Sequence, residues 1–82
     1  MSYVFWSDVI LQHDIPEEGL FAGDVGMVVE KHQLEGLEIG YSIEFSNMLG
    51  ESIAVVTLPE SSLRLPTGSD RRSARPVSGA IV

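Results

Sequence analysis

Between Tyr41 and Ser46 the chain alternates with a period of two: Tyr41, Ile43 and Phe45 fall on one face, Ser42, Glu44 and Ser46 on the other. That period marks a half-buried β-strand, and it is the cleanest in the chain. NMLGE has turn chemistry and SIAVVTLP is β-rich up to Pro59, so Tyr41–Ser46 and Glu51–Leu58 are predicted to pair as an antiparallel hairpin. In the second arm the phase stays open: either Ile53 with Val55 or Ala54 with Val56 faces away from the core. DVGMVVEKH alternates too, which predicts Val25, Met27 and Val29 inward and Gly26, Val28 and Glu30 outward. A short apolar run, Val9 to Leu11, is stopped by Asp14 and Pro16, and ESS suits a single helical turn before a last strand in LRL. No segment sustains ten residues of helical periodicity, so no long helix is expected.

Five short strands in 82 residues predict an all-β fold, a small five-stranded antiparallel SH3-like barrel over residues 1–65. Closure, or near closure, would remove the edges that a small flat sheet exposes. The stretch His13 to Asp24 becomes its long first loop, with Gly19 and Gly23 free to take positive φ. GLFAGDVG within it is rich in glycine, but it leads into a strand and carries carboxylates where a phosphate-cradling loop needs a helix N-terminus and a nearby cation. Gly26 is read as a close-packing position against a neighbouring strand.

Charge divides the chain. Residues 1–63 hold eleven carboxylates against the single Lys31, a balance of −10, while residues 64–82 hold four arginines against Asp70, a balance of +3. A body with one lysine repels nucleic acid, whose binding depends on neutralised phosphates. The same field would steer a basic protein surface. There are no cysteines, which excludes disulfides and cysteine-based metal or thiol chemistry. No apolar run approaches the roughly 20 residues that span a bilayer and no signal peptide is recognisable, so the expected setting is soluble and cytoplasmic.

Catalytic constellations are thin. His13 and His32 lie in or beside loops, and a metal site built from them would need further ligands such as Asp14 or Glu35 brought together by folding, which nothing in their spacing requires. Asp8, His13 and Ser61 or Ser62 supply the residue types of a triad but no nucleophile elbow, and the Glu17–Glu18 pair sits in a turn beside Pro16. The chain is therefore read as a non-enzyme with no cofactor and no metal. Residues 66–82, rich in Pro, Gly, Ser and Arg, are read as a tail, disordered or held by a partner or by the acidic barrel, and GAIV at its end resembles a peptide that an interaction domain captures.

The run DVILQHDIPEEGLFAGDVGMVVE, then YSIEF, then ESIAVVTLPESSLRL resembles the small bacterial domain-of-unknown-function family 4926 over Asp8 to Leu65. Ile43 stands where that family's pattern has valine. The resemblance implies an SH3-like barrel and no established activity. The GDVGMV element is also similar to KOW-type barrels, which bind RNA or ribosomal proteins through basic loops; here Asp14, Glu17, Glu18 and Asp24 make the corresponding loop acidic, and RNA binding is not carried over. Two classes stay open. One is a non-catalytic interaction module, an accessory or an antitoxin or immunity-like protein, that binds a basic partner through Asp14, Glu17, Glu18 and Asp24 with Trp6 as anchor. The other is a structural or regulatory barrel within a larger enzyme complex; a homo-oligomer is compatible with either.

Overall fold

The computed structural model describes residues 3–33 and 35–72. Its strands are β1 (Asp8–Leu11), β2 (Val25–His32), β3 (Gly40–Ser46), β4 (Ser52–Pro59) and β5 (Leu63–Arg64), with 3-10 turns at Pro16–Glu18 and Glu60–Ser62. All pairs are antiparallel, in the sheet order β4-β3-β2-β1-β5. The sheet curls into a half-barrel of the SH3-like kind, as the strand pattern predicts. It stops short of closure: among the described residues β4 and β5 form no ladder with each other. β5 has only 2 residues before the chain runs on to Pro66, which has no N–H to donate.

The predicted hairpin forms, and its concave face is the core. Tyr41, Ile43, Phe45 and Leu58 are buried, and Ala54 and Val56 pack against them, which leaves Ile53 and Val55 outward. β2 has the opposite phase to the one its alternation predicts. Val28 is fully buried and Gly26 is buried beside it, whereas Val25, Met27 and Val29 are only half-buried on the outer face. The reason is pairing: Gly26 lies opposite Phe45 and Val28 opposite Ile43, so both share the core face. A Cβ built on Gly26 would overlap Ile43 Cγ2 and come within 2.9 Å of Phe45 Cε1, so the space belongs to its neighbours' side chains. Gly26 packs closely against the neighbouring strand, and it does so on the core face. The register slips by one residue between Val28 and Glu30, a bulge that brings Glu30 opposite Ser42.

Local chemistry accounts for the connections. In the first loop Ile15 bridges to Leu20, Gly19 closes the 3-10 turn at φ 71, and Leu20 drops fully into the core. In the β3–β4 turn Asn47 Oδ1 accepts from the Leu49 and Glu51 amides and Gly50 takes φ 83. The N-terminal arm caps one end of the core: the Tyr3 amide donates to Tyr41 Oη and the Tyr3 hydroxyl to the Leu63 carbonyl, both at 2.9 Å, with the two rings edge to face.

As far as Arg72, the stretch after Leu65 packs on the body of the domain. Residues 66–72 fold back as a strap over the outer side of β1. Arg64 grips Asp70 with both terminal nitrogens, at 2.7 and 3.0 Å, and Arg72 Nη2 reaches Asp8 Oδ2 at 3.0 Å. Beneath the strap Ile10 is fully buried although it stands outside the main core cluster. The basic C-terminal segment thus docks on the acidic body. GAIV and the rest of residues 73–82 lie outside the described residues.

Candidate interaction surface

The four acidic loop residues do two different jobs. Asp14 Oδ1 accepts the Ala22 amide and Asp24 Oδ2 the Phe21 amide, each at 2.9 Å, and Asp24 is buried. These carboxylates close the loop upon itself, as short Asx side chains do. Glu17 and Glu18 stay exposed on the 3-10 turn. Trp6 is exposed, 67%, in a turn with φ 66, but it lies at the other end of β1: its amide donates to the Val28 carbonyl at 2.7 Å, whereas the loop starts beyond Leu11. At about 3.3 Å per residue, β1 keeps them roughly 15 Å apart. The fold therefore does not bring Trp6 and the acidic loop into one site.

It assembles a different surface. One row crosses four strands on the outer face, since Asp8 lies opposite Met27, Met27 opposite Glu44 and Glu44 opposite Val55. Directly opposite residues of antiparallel strands share a face and touch. Glu44 is thus framed by Met27 on one side and Val55 on the other, and it takes part in no ion pair among the described residues. Val55 is 58% exposed and Ile53, two residues along the same face, 46%. Beyond Glu44 the face turns polar: Ser42 Oγ meets His32 Nε2 at 2.9 Å and Thr57 Oγ1 at 3.0 Å, and His32 lies beside Glu30. The outward position of Glu44 is legible in the period of β3. Met27 is hidden by the reversed phase of β2, and Val55 is one of the two options that alternation leaves open.

The strap borders this row at Asp8. The Arg64 guanidinium, then the Thr67 amide, holds the Asp70 carboxyl well below the usual carboxylate range, while that hydrogen bond raises Arg64 in turn. Between strap and sheet lies a shallow cavity of about 150 Å³, bounded by Ile10, Val25, Pro66 and Arg71.

The residue types of a triad meet only in part. His13 Nε2 lies 2.8 Å from Ser62 Oγ, but Nδ1 faces the Asp14 backbone carbonyl at 3.3 Å rather than a carboxylate, and Ser62 is buried. Ser61 turns instead to Glu38, which accepts from its amide at 2.7 Å. Among the described residues no group of three or more His, Asp or Glu could hold a metal ion, and no helix is long and apolar enough to cross a membrane.

A family model described as "Domain of unknown function (DUF4926)" matches residues 6–65. The chain belongs to that family. The DUF4926 match begins at Trp6, two residues ahead of the stretch that carries the resemblance, and takes in all five strands. It ends at Leu65, so the strap of residues 66–72 lies outside the family's unit. No curated protein and no solved structure matches the chain.

Proposed function

We propose that this DUF4926 protein is a non-catalytic, acidic interaction module of the cytoplasm that binds a basic protein surface on the outer face of its sheet. One observation carries the reading: the Glu44 carboxylate has no charged partner among the described residues and is flanked by Met27 and Val55. Such a centre accepts a lysine or arginine whose methylene stem lies on the apolar neighbours while its head meets the carboxylate. Ile53 widens the apolar rim, and Trp6 is exposed in the turn that precedes β1. Glu17 and Glu18 contribute at longer range, through the field that orients a basic partner during encounter. In this reading Asp14 and Asp24 act on the loop and not on the partner.

The experiment is a titration of a partner recovered from the native host against the parent protein, Glu44→Lys, Val55→Asp, and the Glu17→Lys/Glu18→Lys double variant. Glu44→Lys and Val55→Asp are expected to abolish the complex by speeding dissociation, the double variant to slow association and flatten its salt dependence. Equal affinity for the parent and Glu44→Lys would remove the outer face from the site, and turnover of a substrate by the protein alone would overturn the non-catalytic reading.

A further inference from the structure

We infer that the protein pairs with a second copy of itself along β4, the two strands running antiparallel about a two-fold axis at Val56. The inference goes beyond the partner face and does not rest on it. A half-barrel that stops short of closure keeps two edges. β5 offers only 2 residues, with Pro66 close behind. β4 offers 8, Ser52–Pro59, and among the described residues it pairs only with β3. A long open edge is a template for another strand, and proteins that stay single guard it with charge. No residue of Ser52–Pro59 is charged, in a chain of net charge −7.

The direction of the backbone groups follows from the ladder. The Val28 amide donates to the Ser7 carbonyl at 3.0 Å and the Val28 carbonyl accepts the Trp6 amide at 2.7 Å, so both point away from β3. Ile43, opposite Val28, therefore turns its own groups to β4, where Val56 meets them. Val55 and Thr57, on either side of Val56, turn theirs to the open edge. Pro59 falls in the same set, which is where a strand tolerates a residue without an N–H. At the other end Ile53 is the extra residue of a bulge, since Phe45 lies opposite Ala54 and Ser46 opposite Ser52. Between bulge and proline the edge presents the N–H and C=O of Val55 and of Thr57.

Those groups complement themselves. With Val56 on the axis, Val55 exchanges both hydrogen bonds with Thr57 of the second copy, and Thr57 with its Val55, as an isologous contact requires. Placing Val55 on the axis instead would set Thr57 against the bulge at Ile53 and lose that exchange. On the core side Ala54 and Val56 are only half-buried at the open edge, and the second copy brings its own Val56 against them. Charge permits the approach: Glu44 lies one strand in from the edge, so the two Glu44 carboxylates stay at least about 14 Å apart, three strand separations, beyond the Debye length of about 8 Å.

Sedimentation equilibrium of the complete protein is expected to find dimers. Thr57→Pro removes an edge donor while sparing the ladder to β3, and is expected to give monomers with the circular dichroism of the parent. The chain has no cysteine, so Val56→Cys places one thiol beside its own copy. Opposed residues of a pair that exchanges no hydrogen bonds have Cα atoms about 4.5 Å apart, within disulfide reach. Under mild oxidation Val56→Cys should cross-link to dimers while Leu49→Cys, exposed in the β3–β4 turn, stays largely monomeric. A parent protein that stays monomeric, dimers that persist in a folded Thr57→Pro, or equal cross-linking of the two cysteine variants would each overturn the pairing. If Thr57→Pro does not fold, the cysteine variants decide. Glu44→Lys should keep the dimer while it loses the proposed partner, so the two readings fail separately; loss of the dimer in Glu44→Lys would place the contact on the outer face and overturn the edge pairing.

Discussion

Arg72 Nη2 donates to Asp8 Oδ2 at 3.0 Å, a contact between residues 64 positions apart that fastens the strap across the start of β1. With the two-pronged Arg64–Asp70 pair it keeps Ile10 covered on the side of the sheet away from the main core. Both pairs are partly solvated, so their role is placement rather than a large share of stability.

The strap should detach in acid. The Asp70 carboxyl titrates below its ordinary value of 3.8, so the docked form is favoured fully above that value and loses its advantage as pH falls through the depressed one. Hydrogen exchange at Thr67, whose amide donates to Asp70 at 2.6 Å, should accelerate below about pH 4 beyond the intrinsic trend. Asp70→Asn should show the fast exchange already at neutral pH, with the five-stranded sheet retained. Unchanged protection of Thr67 in that variant would show that the strap is held by something other than the Arg64 pair.

Gly26→Val should be among the most damaging single changes. Its side chain would have to occupy space already filled by Ile43 and Phe45. Ordinary overpacking costs about 1–3 kcal/mol, and here the overlap starts at Cβ, where no rotamer relieves it. In a domain with only ~5 kcal/mol to spare, urea unfolding should find the variant largely unfolded at 25 °C. A midpoint close to that of the parent protein would contradict the packing at this crossing.

Neighbouring positions of β2 should respond in opposite ways. Val28 is fully buried opposite Ile43, and an unpaired carboxylate there meets no counter-charge, so Val28→Asp should abolish the cooperative unfolding transition. Met27 lies on the outer face between Asp8 and Glu44, so Met27→Lys should fold with a change of about 1 kcal/mol or less. Circular dichroism during thermal unfolding would read both, and the reverse order would restore the phase that simple alternation suggests.

Tyr41→Phe should loosen the N-terminal arm. It removes the hydroxyl that accepts the Tyr3 amide at 2.9 Å, and with it the weaker contact to Glu60 at 3.4 Å. Leaving a buried donor without a partner costs about 1–3 kcal/mol, with the lower end expected near a chain terminus where water can enter. Denaturant midpoints and the exchange rate of the Tyr3 amide should move together; a faster amide with an unchanged midpoint would mean that the arm contributes nothing to the core.

The hairpin, the late 3-10 turn, the short last strand and the all-β class are all legible along the chain, because each is written in local terms. The period of Tyr41, Ile43 and Phe45 marks an inward face, and Asn47 with Gly50 makes a turn without help from distant residues. Four features were decided only by the tertiary structure. In β2 both phases offer apolar residues, and what selects Val28 is the pairing of Gly26 with Phe45, a contact between strands that no single-strand pattern contains. In β4 the choice of Val55 as an outward residue follows from the same register, through its place opposite Glu44. The separation of Trp6 from Glu17 and Glu18, close as they are in number, follows from β1 running straight between them, and the docking of Arg72 on Asp8 follows from the sheet returning its last strand beside its first. Local alternation reports how a strand divides its faces; which of those faces meets the core, and which charges meet each other, is set by neighbours that lie far away along the chain.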